Sequence, residues 1–324
     1  MNALDRATLT AGTIPPMRSR ALDRAMTRVS DAPLRGGNEI TLLRNGPATY
    51  EDWLAAIGRA ERWVHLENYI FRADNIGHRF AEALAAKAGE GVPVRVIYDW
   101  FGSMDVSRSF WERLRREGVE VRAANPPTLG EPLSIVRRDH RAPRGGWPYA
   151  LTGGVCIGDE WLRRSPETGL PYRDAAASVR GPAVADLERA FAGVWDQNGE
   201  SLPAEERPDA AGIPVAGEAA VRVVIQEPGK ARILRMLDFL LAEVEERMWI
   251  ADAYFLSVPS LTQTLMAAAR DGVDVRILLP ATNDLPWIGL LSRIGYRQLL
   301  ENGVRIYEYG GLMMHAKTHV ADGR

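Results

Sequence analysis

The sequence predicts an α/β protein made of two repeats, each a mostly parallel, mixed sheet flanked by helices. Three observations carry this expectation. Amphipathic helix patterns end on a glycine and run into β-branched strands in "AEALAAKAGEGVPVRVIYD" (81–99) and "LMAAARDGVDVRILLP" (265–280). The same unit of helix, glycine and strand recurs in "FWERLRREGVEVRAA" (110–124) and "YRQLLENGVRIYEY" (296–309). Each series is preceded by a further strand pattern, "RWVHLENYIF" (62–71) and "RMWIADAYFL" (247–256), in which Arg62, Glu67 and Tyr69 align with Arg247, Asp252 and Tyr254. A β-α-β-α-β order places crossover helices over a sheet and favours parallel strands. Matching units in one order, each series then reaching a histidine, indicate an internal repeat.

Taken along the chain, residues 1–37 are rich in Arg, Pro and Gly and read as a loosely ordered arm with one short helix. Residues 38–200 form the first repeat, 201–220 a Pro-, Gly- and acid-rich linker, and 221–324 a second, incomplete repeat. Of the 324 residues 46% are apolar and 25% charged, which predicts a globular protein with a substantial core. The net charge of −2 disfavours a dedicated nucleic-acid binder, which carries a strong basic patch. A single cysteine, Cys156, excludes an intramolecular disulfide and argues against a cysteine-based zinc site. No window reaches the roughly 18–20 apolar residues that a membrane-spanning helix needs. Contact with a membrane is therefore expected to be peripheral.

The chemistry concentrates in "MHAKTHVADG" near the end of the chain. In a strand, alternate residues share a face, so His315 and Lys317 project together, and Asp322 falls in an Asp-Gly turn just beyond. A nucleophilic imidazole beside an ammonium suits phosphoryl chemistry: the histidine attacks phosphorus, the lysine neutralises the non-bridging oxygens, and a carboxylate orients the ring. A metal site on His315 and His319 is the competing reading, but no third ligand follows at a matching spacing.

The pattern His-x-Lys-x4-Asp, reached through "GVRIYEY" and "MHAK", resembles the signature of the phospholipase D superfamily. Among its members the chain is most similar to the bacterial cardiolipin synthases and their relatives. "HLENYIF", "GVPVRVIYDW", "TGGVCIGDEW", "YRDAAASVRGPAVADLERAF" and "GVDVRILLP" carry that resemblance over residues 38–324. It implies two motifs, one per phospholipase D-like repeat, meeting about a pseudo-twofold axis. One histidine forms a covalent phosphohistidine, and the other protonates the leaving alcohol and then activates the acceptor. No metal or other cofactor is implied. The implied substrate is an anionic, phosphatidylglycerol-like phospholipid, and the implied location is the cytoplasm or the inner membrane face. A nucleic-acid phosphodiesterase of the same superfamily, and a catalytically dead fragment, are the alternatives.

The first motif departs from the pattern. "RRDHR" (137–141) supplies His140, but Ala142 stands where lysine is expected and Trp147 where aspartate is expected. The intervening "APRGGWPY" carries two prolines and two glycines in place of a buried strand, although proline cannot donate to a central ladder. A compensated frameshift and true divergence both remain open; under divergence, Arg141 or Arg144 would contact phosphate in place of the lysine. The resemblance also makes Gly153, Gly154 and Glu160 part of the phosphate-binding segment after the first motif, and it makes Glu67, Asp252 and Asp174 supporting carboxylates. Asp174 is expected beside the first motif. The family continues after its second motif with a Gly-Ser-x-Asn segment, which the sequence does not reach before Arg324, so the last strand is expected to present an exposed edge. Trp100, Phe101, Trp287 and Ile288 fall in segments that follow strands, at the expected mouth of the cleft.

Overall fold

A computed structural model describes residues 6–8, 16–126, 141–144, 149–162, 171–226, 229–256, 258–310 and 313–323. The chain divides into two units. The first holds residues 1–10, 35–162 and 176–223, and the second holds residues 11–34, 163–175 and 224–324.

The first unit opens with β1 (Arg6–Thr8), and the second contributes α1 (Pro16–Ser30). There follow β2 (Leu34–Arg44), α2 (Asn45–Gly58), β3 (Val64–Asn68), α3 (Asn75–Gly89), β4 (Val94–Asp99), α4 (Arg108–Arg116) and β5 (Glu120–Ala124). Next come β6 (Arg141–Arg144), β7 (Tyr149–Gly153), β8 (Ala175–Arg180), α5 (Val184–Gln197) and β9 (Ala219–Arg222). The sheet order is β1-β2-β8-β7-β6-β3-β4-β5, with β9 on β2. Strands β3, β4 and β5 run parallel, and β6 lies antiparallel between β3 and β7.

The helices begin and end where local chemistry directs. Asp74 caps α3 by accepting from the Gly77 N–H at 2.9 Å, and Ser107 caps α4 by accepting from Phe110. Gly91, Gly118, Gly272 and Gly303 stand at φ of 84°, 88°, 96° and 90°, the left-handed conformation that lets a helix stop and turn into the next strand. Leu66, Phe80 and Leu84 are fully buried between sheet and helices. Each such side chain contributes about 1.5–3 kcal/mol relative to exposure.

The second unit packs α1 against α6 (Arg232–Glu243). It continues with β10 (Arg247–Ala251), α7 (Pro259–Arg270), β11 (Asp274–Pro280), α8 (Pro286–Ile294), α9 (Tyr296–Glu301), β12 (Arg305–Tyr309) and β13 (Thr318–Ala321). Its sheet order is β12-β11-β10-β13, three parallel strands with β13 antiparallel to β10. The expected run of strands and crossover helices is thus present in both units.

Three sequence expectations are altered. The N-terminal stretch contains a fifteen-residue helix, α1, whose face is taken up by α6. The stretch read as a linker is packed into the first unit: Leu202, Glu206 and Ile213 are all buried there. Third, Val64 pairs with Val94 and Met248 with Val275, so matching "GVPVRV" to "GVDVRI" sets Asn68, not Glu67, level with Asp252. The ladders override the ungapped alignment because backbone pairing fixes which residues face which side.

The segment with the altered first motif is a strand despite Pro143. Strand β6 pairs with β3 at Val64–Arg144 and Glu67–Arg141, so that pairing brackets the proline, which has no N–H to give. Thr318 takes the equivalent place opposite Ala251. Arg141, one residue after His140, is therefore level with Thr318, three residues after His315. The first motif is out of step with the second along its strand.

A buried polar cluster ties β3, β4, α5 and the 201–206 segment together. His65, fully buried, meets Glu188 through Nδ1 at 2.7 Å and Glu206 through Nε2 at 2.7 Å. Arg95 donates to both oxygens of Glu206 at 2.8 Å and also pairs with Glu120. Trp63 Nε1 donates to Glu188, and the His65 ring stacks on Phe191 at 4.5 Å. Carboxylates only accept, so both ring nitrogens carry protons and His65 is an imidazolium. Burial opposes its charge, yet the bonds to Glu188 and Glu206 raise its pKa above the ordinary histidine value. Burial likewise pushes the Glu206 carboxyl up, but the hydrogen bonds from Arg95 and His65 outweigh it and hold the group down at about 2.

Candidate active site

The site lies in the second unit, where residues 313–317 approach β13 past the C-terminal end of β10. A short parallel bridge pins this approach: Arg173 N–H donates to the Met313 carbonyl at 2.8 Å, and His315 N–H donates to the Arg173 carbonyl at 2.7 Å. The bridge sets the side chain after Arg173 beside the side chain of His315. Asp174 Oδ2 lies 2.9 Å from His315 Nδ1, with both residues buried. Its other oxygen accepts from the Ala175 N–H at 2.8 Å, which holds the carboxylate in place.

Lys317 Nζ stands 2.8 Å from His315 Nε2 and 2.8 Å from the His315 carbonyl. An ammonium has only donors, so Nε2 must present its lone pair and the ring proton must sit on Nδ1, facing Asp174. The geometry thus selects the neutral tautomer whose Nε2 is nucleophilic. Lys317 is exposed while His315 is buried, so the ammonium marks the open side of the ring. Two aromatic rings wall the imidazole: Tyr172 lies 6.0 Å away and nearly parallel, and Tyr254 lies 5.7 Å away and edge-on. The Tyr254 ring also faces the Lys317 ammonium at 5.0 Å, an attraction of the cation–π kind.

Asp322 is placed otherwise than expected. Its carboxylate accepts from the backbone N–H groups of Glu245, Glu246 and Arg247 at 3.1, 2.8 and 3.0 Å, and its own N–H donates to the Arg247 carbonyl. It fastens the turn before β10 to the end of β13 at φ 51°. The carboxylate that orients His315 is Asp174, which the sequence assigned to the first motif. Strand β13 separates Asp322 from the ring, whereas the Arg173 bridge delivers Asp174 to it.

The remaining expected residues are distributed as follows. Asp252 caps the turn after β10, accepting from the Tyr254 N–H at 2.9 Å. Glu67 is buried near the end of β3 in the first unit. Glu160, expected to bind substrate, is engaged by Arg72 Nε at 3.0 Å, and Arg72 also pairs with Asp105, so Glu160 braces a loop. Gly153 ends β7 opposite Ala176, and Gly154 follows in the bend. His140 lies outside the described residues, and Arg141 and Arg144 are described only through the backbone of β6. His319 is exposed on β13, and among the described residues no group of three or more His, Cys, Asp and Glu is placed to hold a metal.

Sequence reasoning missed the two tyrosine walls and Asp284, which accepts from the Tyr254 hydroxyl at 2.9 Å. Tyr254 had a signal, its recurrence in the strand pattern. Tyr172 and Asp284 had none, since their roles depend on where loops meet.

Comparison with known proteins places the chain among phospholipase D-like relatives. Residues 238–324 match the family model described as cardiolipin synthase, PLD-like domain. The chain is 33% identical over 313 residues to a cardiolipin synthase of Geobacillus kaustophilus, covering 94% of this chain and 61% of the relative. It is 33% identical over 308 residues to one of Alkalihalophilus pseudofirmus, covering 93% of this chain and 61% of the relative. The chain therefore spans about three-fifths of the length of these relatives. Its fold is similar to the phosphatidylserine synthase of Haemophilus influenzae at a TM-score of 0.64 and 14% identity, covering 93% of this chain and 80% of that one. By family model and relatives, the chain carries a phospholipase D-like domain related to that of the cardiolipin synthases.

Proposed function

We propose that the chain catalyses phospholipase D-type phosphatidyl transfer, or hydrolysis of the same phosphodiester, on an anionic phospholipid such as phosphatidylglycerol at a membrane surface. The observation that carries this reading is the triple of Asp174, His315 and Lys317, with a carboxylate on Nδ1 and an ammonium on Nε2. When a phosphodiester enters, Lys317 exchanges the imidazole lone pair for the non-bridging oxygens. Nε2 then forms a bond to phosphorus as the bond to the leaving alcohol breaks. Asp174 stabilises the positive charge that develops on the ring. The alcohol takes its proton from a general acid, the role that the resemblance gives to His140. In the second step the group that gave up its proton, now a base, takes the proton of an acceptor hydroxyl or water as that oxygen bonds to phosphorus and the bond from phosphorus to Nε2 breaks. Similarity to proteins named cardiolipin synthases supports reading this second step as transfer to an alcohol.

The test is direct. The chain is incubated with phosphatidylglycerol labelled on phosphorus and quenched in alkali, where phosphohistidine survives. Label is expected on the peptide containing His315 and is expected to be absent from His315→Ala. Turnover without such an adduct, or equal turnover by His315→Ala, overturns the reading.

A further inference from the structure

Helix α8 is amphipathic the wrong way round for a helix of a protein core. Trp287, Leu290, Leu291 and Ile294 are 57%, 67%, 46% and 77% exposed, while the polar Ser292 is buried. Their spacing of three, four and seven places them on one face. The helix, "PWIGLLSRI", contains no acidic residue. Leu256 and Val258, in the segment after β10, are also exposed.

These side chains belong to the same sheet edge as the nucleophile. Leu256 and Val258 follow the C-terminal end of β10, and α8 follows that of β11. Thr318, three residues after His315, pairs with Ala251, the last residue of β10. The connection is also bonded: Asp284, two residues before α8, holds the hydroxyl of Tyr254, whose ring stands edge-on to His315, and Asn283 donates to the Ala253 carbonyl.

We propose that this edge, with α8 at its centre, is a docking surface that inserts into the interface of a phospholipid bilayer and presents His315 to headgroups. The proposal rests on the lipid reading above, because a substrate held in a bilayer has to be met at its surface. Nine residues make a helix about 13 Å long, too short to cross the roughly 30 Å hydrocarbon layer but suited to lie in its boundary. Docking is apolar in character: Arg293 is paired with Glu308, and Arg297 with Glu301, so neither cation is left over to hold anionic lipid. Trp287 supplies the aromatic type enriched at that boundary.

The experiment uses the 324-residue chain and vesicles of phosphatidylcholine and phosphatidylglycerol, with bound protein measured by co-sedimentation. Leu290→Glu and Ile294→Glu are each expected to lower the bound-to-free ratio about tenfold or more, whereas Ile233→Glu on α6 leaves it unchanged. Binding by the parent chain is expected to survive high salt, since only charge contacts are screened. Circular dichroism and melting temperature verify that each variant is folded, and Trp287→Asp gives an independent variant of the same face. Vesicle binding equal in parent and α8 variants overturns the proposal. So does a salt-reversible binding, or a parent dimer that the same variants dissociate, which would show that the face meets a second copy. Turnover of monomeric, short-chain phosphatidylglycerol by the parent is assayed in parallel: its absence counts against the lipid reading, and α8-dependent vesicle binding stands or falls separately.

Discussion

Among the described residues two buried histidines are held by carboxylates, and their surroundings differ in kind. His65 in the first unit has a glutamate at each ring nitrogen, 2.7 Å away in both cases. His315 in the second unit has an aspartate at Nδ1 and an ammonium at Nε2. Burial and one carboxylate are common to both, so neither identifies a nucleophile. The partner of the second nitrogen decides. A second carboxylate protonates it and leaves a structural imidazolium; an ammonium keeps it bare and leaves a lone pair for chemistry.

The largest expected effect falls on the catalytic side of this comparison. In Asp174→Asn the side-chain oxygen stays on the Ala175 N–H and the amide N–H2 faces Nδ1, which removes the charge and disfavours the Nδ1–H tautomer, so turnover of phosphatidylglycerol is expected to fall by about 10²–10⁴ with the melting temperature little changed. A loss of less than threefold would mean that Asp174 is packing and not orientation. On the structural side, Glu206→Gln removes the carboxylate that His65 and Arg95 share, leaving Glu188 alone on His65 and only the more exposed Glu120 on Arg95. This is expected to cost about 3–5 kcal/mol of stability, read as a shift of the denaturant midpoint. A midpoint unchanged within error would show that the cluster is not a buried ion network.

Asp322 offers an intermediate case, a motif carboxylate that serves backbone. Asp322→Ala is expected to cost about 1 kcal/mol through loss of a cap on the turn before β10, with turnover per folded molecule nearly unchanged. If turnover collapses while stability holds, Asp322 belongs with His315 after all. The smallest effect concerns pH. The His65 pKa is raised on folding, so its contribution is complete below the unfolded value of about 6.5 and is lost as pH rises through the folded value. The groups facing it are Glu188 from α5, Glu206 from the 201–206 segment and, through Glu206, Arg95 from β4. Between pH 6 and pH 9 the melting temperature of the parent chain is therefore expected to fall more than that of His65→Gln. Parallel curves would remove the imidazolium from the explanation.

The two parallel ladders make a second comparison. Arg95 and Arg276 stand at matching places, yet Arg95 is buried against Glu206 and Trp195, whereas Arg276 is half-buried and paired with Asp274 on its own strand. The difference lies in what covers each sheet face. In the first unit α5 and the 201–206 segment do so; Trp249, Tyr307 and Val320 on the second sheet are exposed. Equal strand patterns therefore gave equal topology and unequal chemistry.

Much of the frame was legible because it is local. Periodicity of 3.6 and of 2, with glycines at the left-handed helix ends, was enough to place α3, α4, α7 and α9 and the strands after them. His315 and Lys317 were legible for the same reason, since two residues apart they share one short approach to β13. The identity of their carboxylate was not. Asp174 is 141 residues from His315, and only the Arg173 bridge brings it there, while the nearer Asp322 is turned toward backbone by β13. Likewise His65 reads as an apolar-strand histidine until Glu188 and Glu206 arrive from more than a hundred residues away. By itself the sequence determined the order of elements and the presence of an imidazole beside an ammonium, because near-neighbour geometry follows from backbone sterics. Only the tertiary structure decided which histidine holds a lone pair, because a proton's place on a ring depends on partners that long-range packing supplies.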